Sequence, residues 1–132
     1  MDNLIEKLKA DHEELRKLCA KVYDYLATDE QKLFFVNKFK ELVVKHIETE
    51  DKYLYPVLNK EAETNPVLKN KLDFFAKDWE TTSEFANYYI EKYSQGNFDE
   101  KFAGDTAKLL STLRQRMLKE EISLYSEYEK RN

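Results

Sequence analysis

Apolar residues recur at steps of three and four along almost the whole chain, the mark of helices with one buried face. Leu4, Leu8, His12, Leu15, Cys19, Val22 and Leu26 form the first stripe. Phe35, Phe39, Leu42, His46, Glu50, Tyr53 and Val57 form the second. The third runs Leu68, Leu72, Phe75, Trp79, Thr82, Ala86, Tyr89, Tyr93, and the fourth Phe102, Thr106, Leu109, Leu113, Arg116, Glu120, Leu124. Breaks between the stripes carry helix-start signals. The first helix is expected to begin after Asn3, with Glu6 as its capping pair. Thr28 with Gln31 reads as a second capping pair, and Asn65 followed by Pro66 as a third helix start. The second helix runs from about Gln31 towards Asn59, and Pro56, which lacks an N–H, is expected to kink or end it near Lys52 to Tyr55. Ser94 to Phe98 breaks the third helix, and Asn97 with Glu100 is read as the cap of the fourth. Gly104 inside that helix costs about 1 kcal/mol relative to alanine, so a close helix contact is expected there. Four helices of similar length with short connections predict an all-α, up-down-up-down antiparallel four-helix bundle, one domain over residues 1–132. The regular breaks weigh against a long coiled-coil dimer.

Composition agrees and removes some function classes. The 132 residues include only 2 Gly and 2 Pro, which suits helix. The net charge is -4 with both signs interspersed and no basic run, which argues against nucleic acid and against an anionic membrane surface. No apolar run is long enough to span a bilayer, the start is not signal-like, and the single Cys19 has no internal disulfide partner. The expected location is therefore cytoplasmic.

The informative residues are the polar ones on apolar stripes. Both histidines of the chain, His12 and His46, lie there, and Glu50 stands one turn beyond His46 at i+4. Glu120 lies on the fourth stripe. Seam residues at mid-height of an antiparallel bundle converge, and two imidazoles with two carboxylates are what a transition-metal site requires. A lone histidine would be read as a satisfied core residue; two, one with a carboxylate at i+4, favour a metal. A weak internal repeat accompanies the pattern: Glu50 and Leu54-Tyr55 have counterparts in Glu120 and Leu124-Tyr125, an offset of 120 − 50 = 70. On that offset His46 falls on Arg116. Cys19 and the tyrosines at 53, 55, 89 and 125 are read as packing residues.

Asp11-His12, then HIETEDKYLYP at 46–56 and LKEEISLY at 118–125, resemble the hemerythrin-like, or HHE cation-binding, domains. The resemblance covers essentially the whole chain, and its most specific piece is H-x-x-x-E-x-x-x-x-Y-P. It implies a four-helix bundle around a non-haem di-iron centre, with roles in oxygen binding or sensing, stress response and iron handling. By that resemblance His12 and His46 match the ligands of one iron, and Glu50 and Glu120 match the bridging carboxylates. The second iron's positions fall on Phe75, Trp79 and Arg116, none of which can ligate a metal. An intact di-iron centre is therefore not expected, and two-iron oxygen carriage falls with it. Arg116 is expected to stand in for the missing charge, within hydrogen-bond reach of Glu50 or Glu120.

Two readings of function follow. In the first, the chain is a metal-binding or sensing domain holding at most one Fe or Zn, with oxygen or nitric oxide as the small ligand if iron is bound. In the second it is a metal-free structural or protein-interaction bundle, with a protein partner the sequence does not identify. An enzyme of the di-iron oxidase or nitric-oxide reductase kind is disfavoured by Phe75, Trp79 and Arg116.

Overall fold

The computed structural model describes residues 3–131, the side chain of Tyr23 excepted. Its helices form an all-α, up-down-up-down four-helix bundle, with no strand among the described residues. The first rod is α1 (Leu4–Ala20), followed by a short 3₁₀ turn at Val22–Tyr25. The second comprises α2 (Asp29–Thr49) and α3 (Tyr55–Ala62), joined by a π turn at Glu50–Leu54. The third is α4 (Pro66–Tyr93). The fourth comprises α5 (Phe102–Lys119) and α6 (Tyr125–Glu129), joined by a second π turn at Glu120–Leu124.

Two of the expected caps form. Thr28 and Gln31 make a reciprocal capping box, with Gln31 N–H donating to Thr28 Oγ1 at 3.1 Å and Thr28 N–H to Gln31 Oε1 at 3.2 Å. Asn65 Oδ1 accepts from Leu68 N–H at 3.1 Å, with Pro66 opening α4. Two others do not. Asn3 is the N-cap of α1 but its side chain makes no capping bond. The fourth rod begins only at Phe102, so Asn97 and Glu100 lie outside it. There the Asp99 carboxylate accepts from Lys101 N–H at 2.9 Å, a local turn bond ahead of the helix, and α5 has no side-chain cap.

Gly104 is exposed, and a Cβ added to it would meet nothing within 4 Å, so the close helix contact expected there is absent. The backbone there is ordinary helix. Gly104→Ala should accordingly stabilise the protein by about 1 kcal/mol, read as a raised urea midpoint with unchanged slope.

Pro56 does not end the second rod. The π turn precedes it, and Pro56 falls in the first turn of α3, where its missing N–H is tolerated. The π turn also corrects the expected stripe. It inserts one residue into the α repeat, so beyond Glu50 the buried positions are Leu54, Leu58 and Ala62. Tyr53 and Val57, expected on the seam, are 51% and 38% exposed.

The apolar core is split in two. One cluster gathers Leu15, Phe35, Phe39, Val43, Tyr89, Leu113 and Met117 with their neighbours, the other Leu8, Leu54, Leu58, Leu68, Phe75, Leu124 and Tyr125. Every rod passes through both, and each carries polar or indole-bearing positions between them: His12 on the first, His46 and Glu50 on the second, Trp79 on the third, Arg116 and Glu120 on the fourth. The polar layer is thus walled above and below by packed hydrocarbon.

Candidate metal centre

His12, His46, Glu50 and Glu120 converge in this layer, all at least nine-tenths buried. His12 Nε2 lies 3.1 Å from His46 Nε2 and 3.5 Å from Glu120 Oε1. His46 Nε2 lies 3.4 Å from Glu50 Oε2, as the i, i+4 spacing predicts. One ligand atom each from His12, His46 and Glu120 fit within 4.8 Å of one another, close enough to share a single ion. Both glutamates are the first residue of a π turn, closed by Tyr55 N–H to Glu50 O and by Tyr125 N–H to Glu120 O. An i+5 bond tilts the carboxylate-bearing face, and π turns of this kind cluster at functional sites.

A second layer of carboxylates orients the imidazoles. His12 Nδ1 lies 2.7 Å from Glu121 Oε2, which also accepts from Arg16 Nη2 at 2.6 Å. His46 Nδ1 lies 3.1 Å from Asp11 Oδ2. Each ring therefore gives its Nδ1 proton to a carboxylate carried by another rod and turns Nε2 inward, the arrangement that fixes the tautomer of metal-binding histidines. Two neutral rings held so would set two lone pairs face to face at 3.1 Å. A proton or a cation has to lie between them.

The titration behaviour follows from that crowding. Burial opposes charge on His46, but hydrogen bonding and the charge of Glu50, with Asp11 behind, outweigh it and raise the imidazole to about 9. For His12 burial wins over Glu121, and with the repulsion of His46 it holds the ring below its ordinary value. Burial also works against Glu50, yet His46 and the Tyr125 hydroxyl keep it ionised. Glu120, buried beside the charge of Glu50, is pushed well above the usual carboxylate range. Without a cation the cluster thus carries its positive charge as protons.

The residue set also fits a cation on a structural observation. Glu120 Oε2 is buried and has no hydrogen-bond partner. A buried carboxylate oxygen left without a partner is costly unless a donor or a positive charge meets it. The nearest fixed charge, Arg116 Nη2, is 3.9 Å away.

Arg116 is buried as expected, but not hydrogen-bonded as expected. Its donors go to the Phe75 carbonyl at 3.3 Å, the Tyr55 hydroxyl at 3.4 Å and the Asp78 carboxylate at 3.5 Å. The flat guanidinium stacks on Trp79, 4.6 Å from its ring, and near Phe75 at 5.7 Å. Asp78 is thus the partner of Arg116. Phe75, Trp79 and Arg116, the positions that the resemblance gives to a second ion, are taken up by this aromatic–guanidinium contact.

A cavity of about 250 Å³ opens beside the cluster. His12, His46, Glu50, Glu120 and Arg116 edge it, and Leu15, Cys19, Phe39, Val43, Leu113 and Met117 make the rest of its wall largely apolar.

Three residues of the site have roles there that the sequence did not disclose. Asp11 and Glu121 adjoin His12 and Glu120, and their acidic character beside a ligand was the available signal. Tyr125, read as packing, instead puts its hydroxyl among the donors: it donates to Glu50 Oε2 at 2.9 Å and lies 3.1 Å from His12 Nε2 and 3.3 Å from His46 Nε2. Its signal was the repeat, because Tyr125 stands five residues after Glu120 as Tyr55 does after Glu50.

No helix among the described residues is long and apolar enough to cross a membrane. No curated protein and no solved structure matches the chain at a significant level. The family model of the hemerythrin HHE cation-binding domain matches residues 3–128.

Proposed function

This chain belongs to the hemerythrin HHE cation-binding domain family, and from that premise we propose that it is a single-cation module, holding one Fe or Zn ion rather than a pair. His12, His46, Glu50 and Glu120 would hold the ion. The observation that carries the reading is the inward convergence of two Nε2 atoms, 3.1 Å apart, whose Nδ1 atoms are each tied to a carboxylate. The orphaned Glu120 oxygen supports it. Iron at such a site would supply an open coordination position for oxygen or nitric oxide. The chain's own part is to hold the rings between two apolar clusters and to leave beside them a largely apolar cavity of about 250 Å³, more room than a diatomic ligand fills.

The stack of Arg116 on Trp79 and Phe75 supports a limit of one ion. Elemental analysis of protein purified without added metal or chelating resin should find up to one equivalent of Fe or Zn per chain. Two irons per chain, with the absorption of an oxo-bridged pair, would defeat the limit. The second reading, a metal-free bundle, draws on a specific observation as well: a proton on His46 can neutralise Glu50 without any ion. Failure of the parent protein to take up Fe or Zn on titration would favour it.

A further inference from the structure

We propose that Tyr125 is itself a ligand to the cation, through its phenol oxygen, adding a tyrosine to the two histidines and two carboxylates and making the site suited to ferric iron. The inference rests on the reading that this cluster holds a cation.

The argument is one of spacing. Ligands bound at about 2.0–2.1 Å to a first-row ion lie roughly 2.9 Å from one another at right angles and roughly 3.4 Å apart in a tetrahedron. The Tyr125 oxygen is 3.1 Å from His12 Nε2, 3.3 Å from His46 Nε2 and 2.9 Å from Glu50 Oε2. The other separations in the cluster are 3.1, 3.4 and 3.5 Å. Tyr125 therefore stands at the spacing of a corner of the same polyhedron as the proposed donors. A hydroxyl plugging the centre would be roughly 2 Å from each.

Its position is enforced rather than incidental. The side chain is fully buried, its ring stacks on His12 with centroids 5.4 Å apart at 23°, and the π turn at Glu120–Leu124 sets it five residues beyond a donor glutamate. The repeat supplies an internal comparison. Tyr55 occupies the matching place after Glu50, but its hydroxyl accepts from Arg116 at 3.4 Å, on the side filled by Trp79 and Phe75. One tyrosine of the pair faces the histidines and the other faces the stack.

Phenol oxygen is a hard donor, and as phenolate it favours the trivalent ion over softer divalent ones. Binding breaks only the O–H bond. The proton now donated to Glu50 is released, the oxygen lone pair goes to the metal, and no electron changes hands.

The test is to load metal-free protein with ferric citrate, count iron per chain, and record visible absorption and resonance Raman spectra. The parent should take up one iron and show a broad phenolate-to-iron charge-transfer band, with tyrosinate ring vibrations enhanced on excitation within it. Tyr125→Phe, which keeps the ring, should lose the band and bind iron at least tenfold more weakly. Tyr53→Phe, at an exposed position, should keep both. Iron uptake by the parent without such a band overturns this proposal alone, and so does a band that survives in Tyr125→Phe. If that variant folds poorly, the parent spectrum still overturns the proposal when it lacks tyrosinate modes, and Tyr55→Phe, which should keep the band, separates Tyr125 from the tyrosine on the Arg116 side; a band lost in Tyr55→Phe overturns the proposal. A parent that takes up no iron and no zinc overturns the single-cation reading and, with it, the role of Tyr125.

Discussion

Arg116→Ala should cost about 2–4 kcal/mol of stability in metal-free protein, read from urea melts against the parent. Breaking a buried charged network typically costs about 3–5 kcal/mol. The lower range applies here because the nearest buried carboxylate, Glu120, is 3.9 Å away and Asp78 is only partly buried. Three losses add up. The Phe75 carbonyl and the Tyr55 hydroxyl lose a donor. Trp79 and Phe75 lose the flat group packed on them. Glu120 and ionised Glu50 lose the nearest fixed positive charge. Arg116→Lys keeps the charge but neither the fork nor the stack, so it should recover less than half of the loss. A change below about 0.5 kcal/mol for Arg116→Ala would mean that the guanidinium has no structural role and that protons or a cation alone neutralise the two glutamates.

Arg116 also shows how far the sequence could be read. Its burial and its neighbourhood were legible, because a fixed cation on an apolar stripe one turn from Glu120 and across from Glu50 has few places to go. Its hydrogen bonds were not, because they depend on a backbone carbonyl and a tyrosine brought in from other rods. The same division holds for the fold. Period and capping chemistry located the rods, since Thr28, Gln31, Asn65 and Pro66 act locally. They did not reveal the π turns, which no residue type demands, and so Tyr53 and Val57 were placed on the seam one position out of register with Leu54 and Leu58. Asn97 and Gly104 misled for a related reason: each has a local propensity, and tertiary packing left neither with the partner that propensity suggested. At the site, the four residues expected to converge do so, while the atoms that orient them come from Asp11, Glu121 and Tyr125, whose roles exist only once three rods meet.

That meeting has a consequence in solution. Metal-free protein should become less stable by on the order of 3 kcal/mol as pH rises from about 6.5 to about 9. The sign comes from His46. In the unfolded chain its imidazole titrates near 6.5, and in the folded protein Glu50 and Asp11 raise it to about 9. The folded state then holds a proton that the unfolded state has released. The stabilisation is complete below pH 6.5 and is lost as pH passes through about 9. Glu120 acts in the same sense, since its folded carboxyl also keeps a proton beyond its ordinary range. His12 acts oppositely, but it is shifted downward, so its effect falls below 6.5 and leaves the alkaline window untouched. Thermal melts in chelator-treated buffer should show the decline, and His46→Gln should flatten it. A bound cation competes for the same lone pairs. Zinc affinity should therefore rise across this window, and saturating zinc should cancel or reverse the fall in melting temperature. A parent protein equally stable at pH 6.5 and 9 without metal would contradict the protonated His46–Glu50 pair and would leave the two facing imidazoles in need of another explanation.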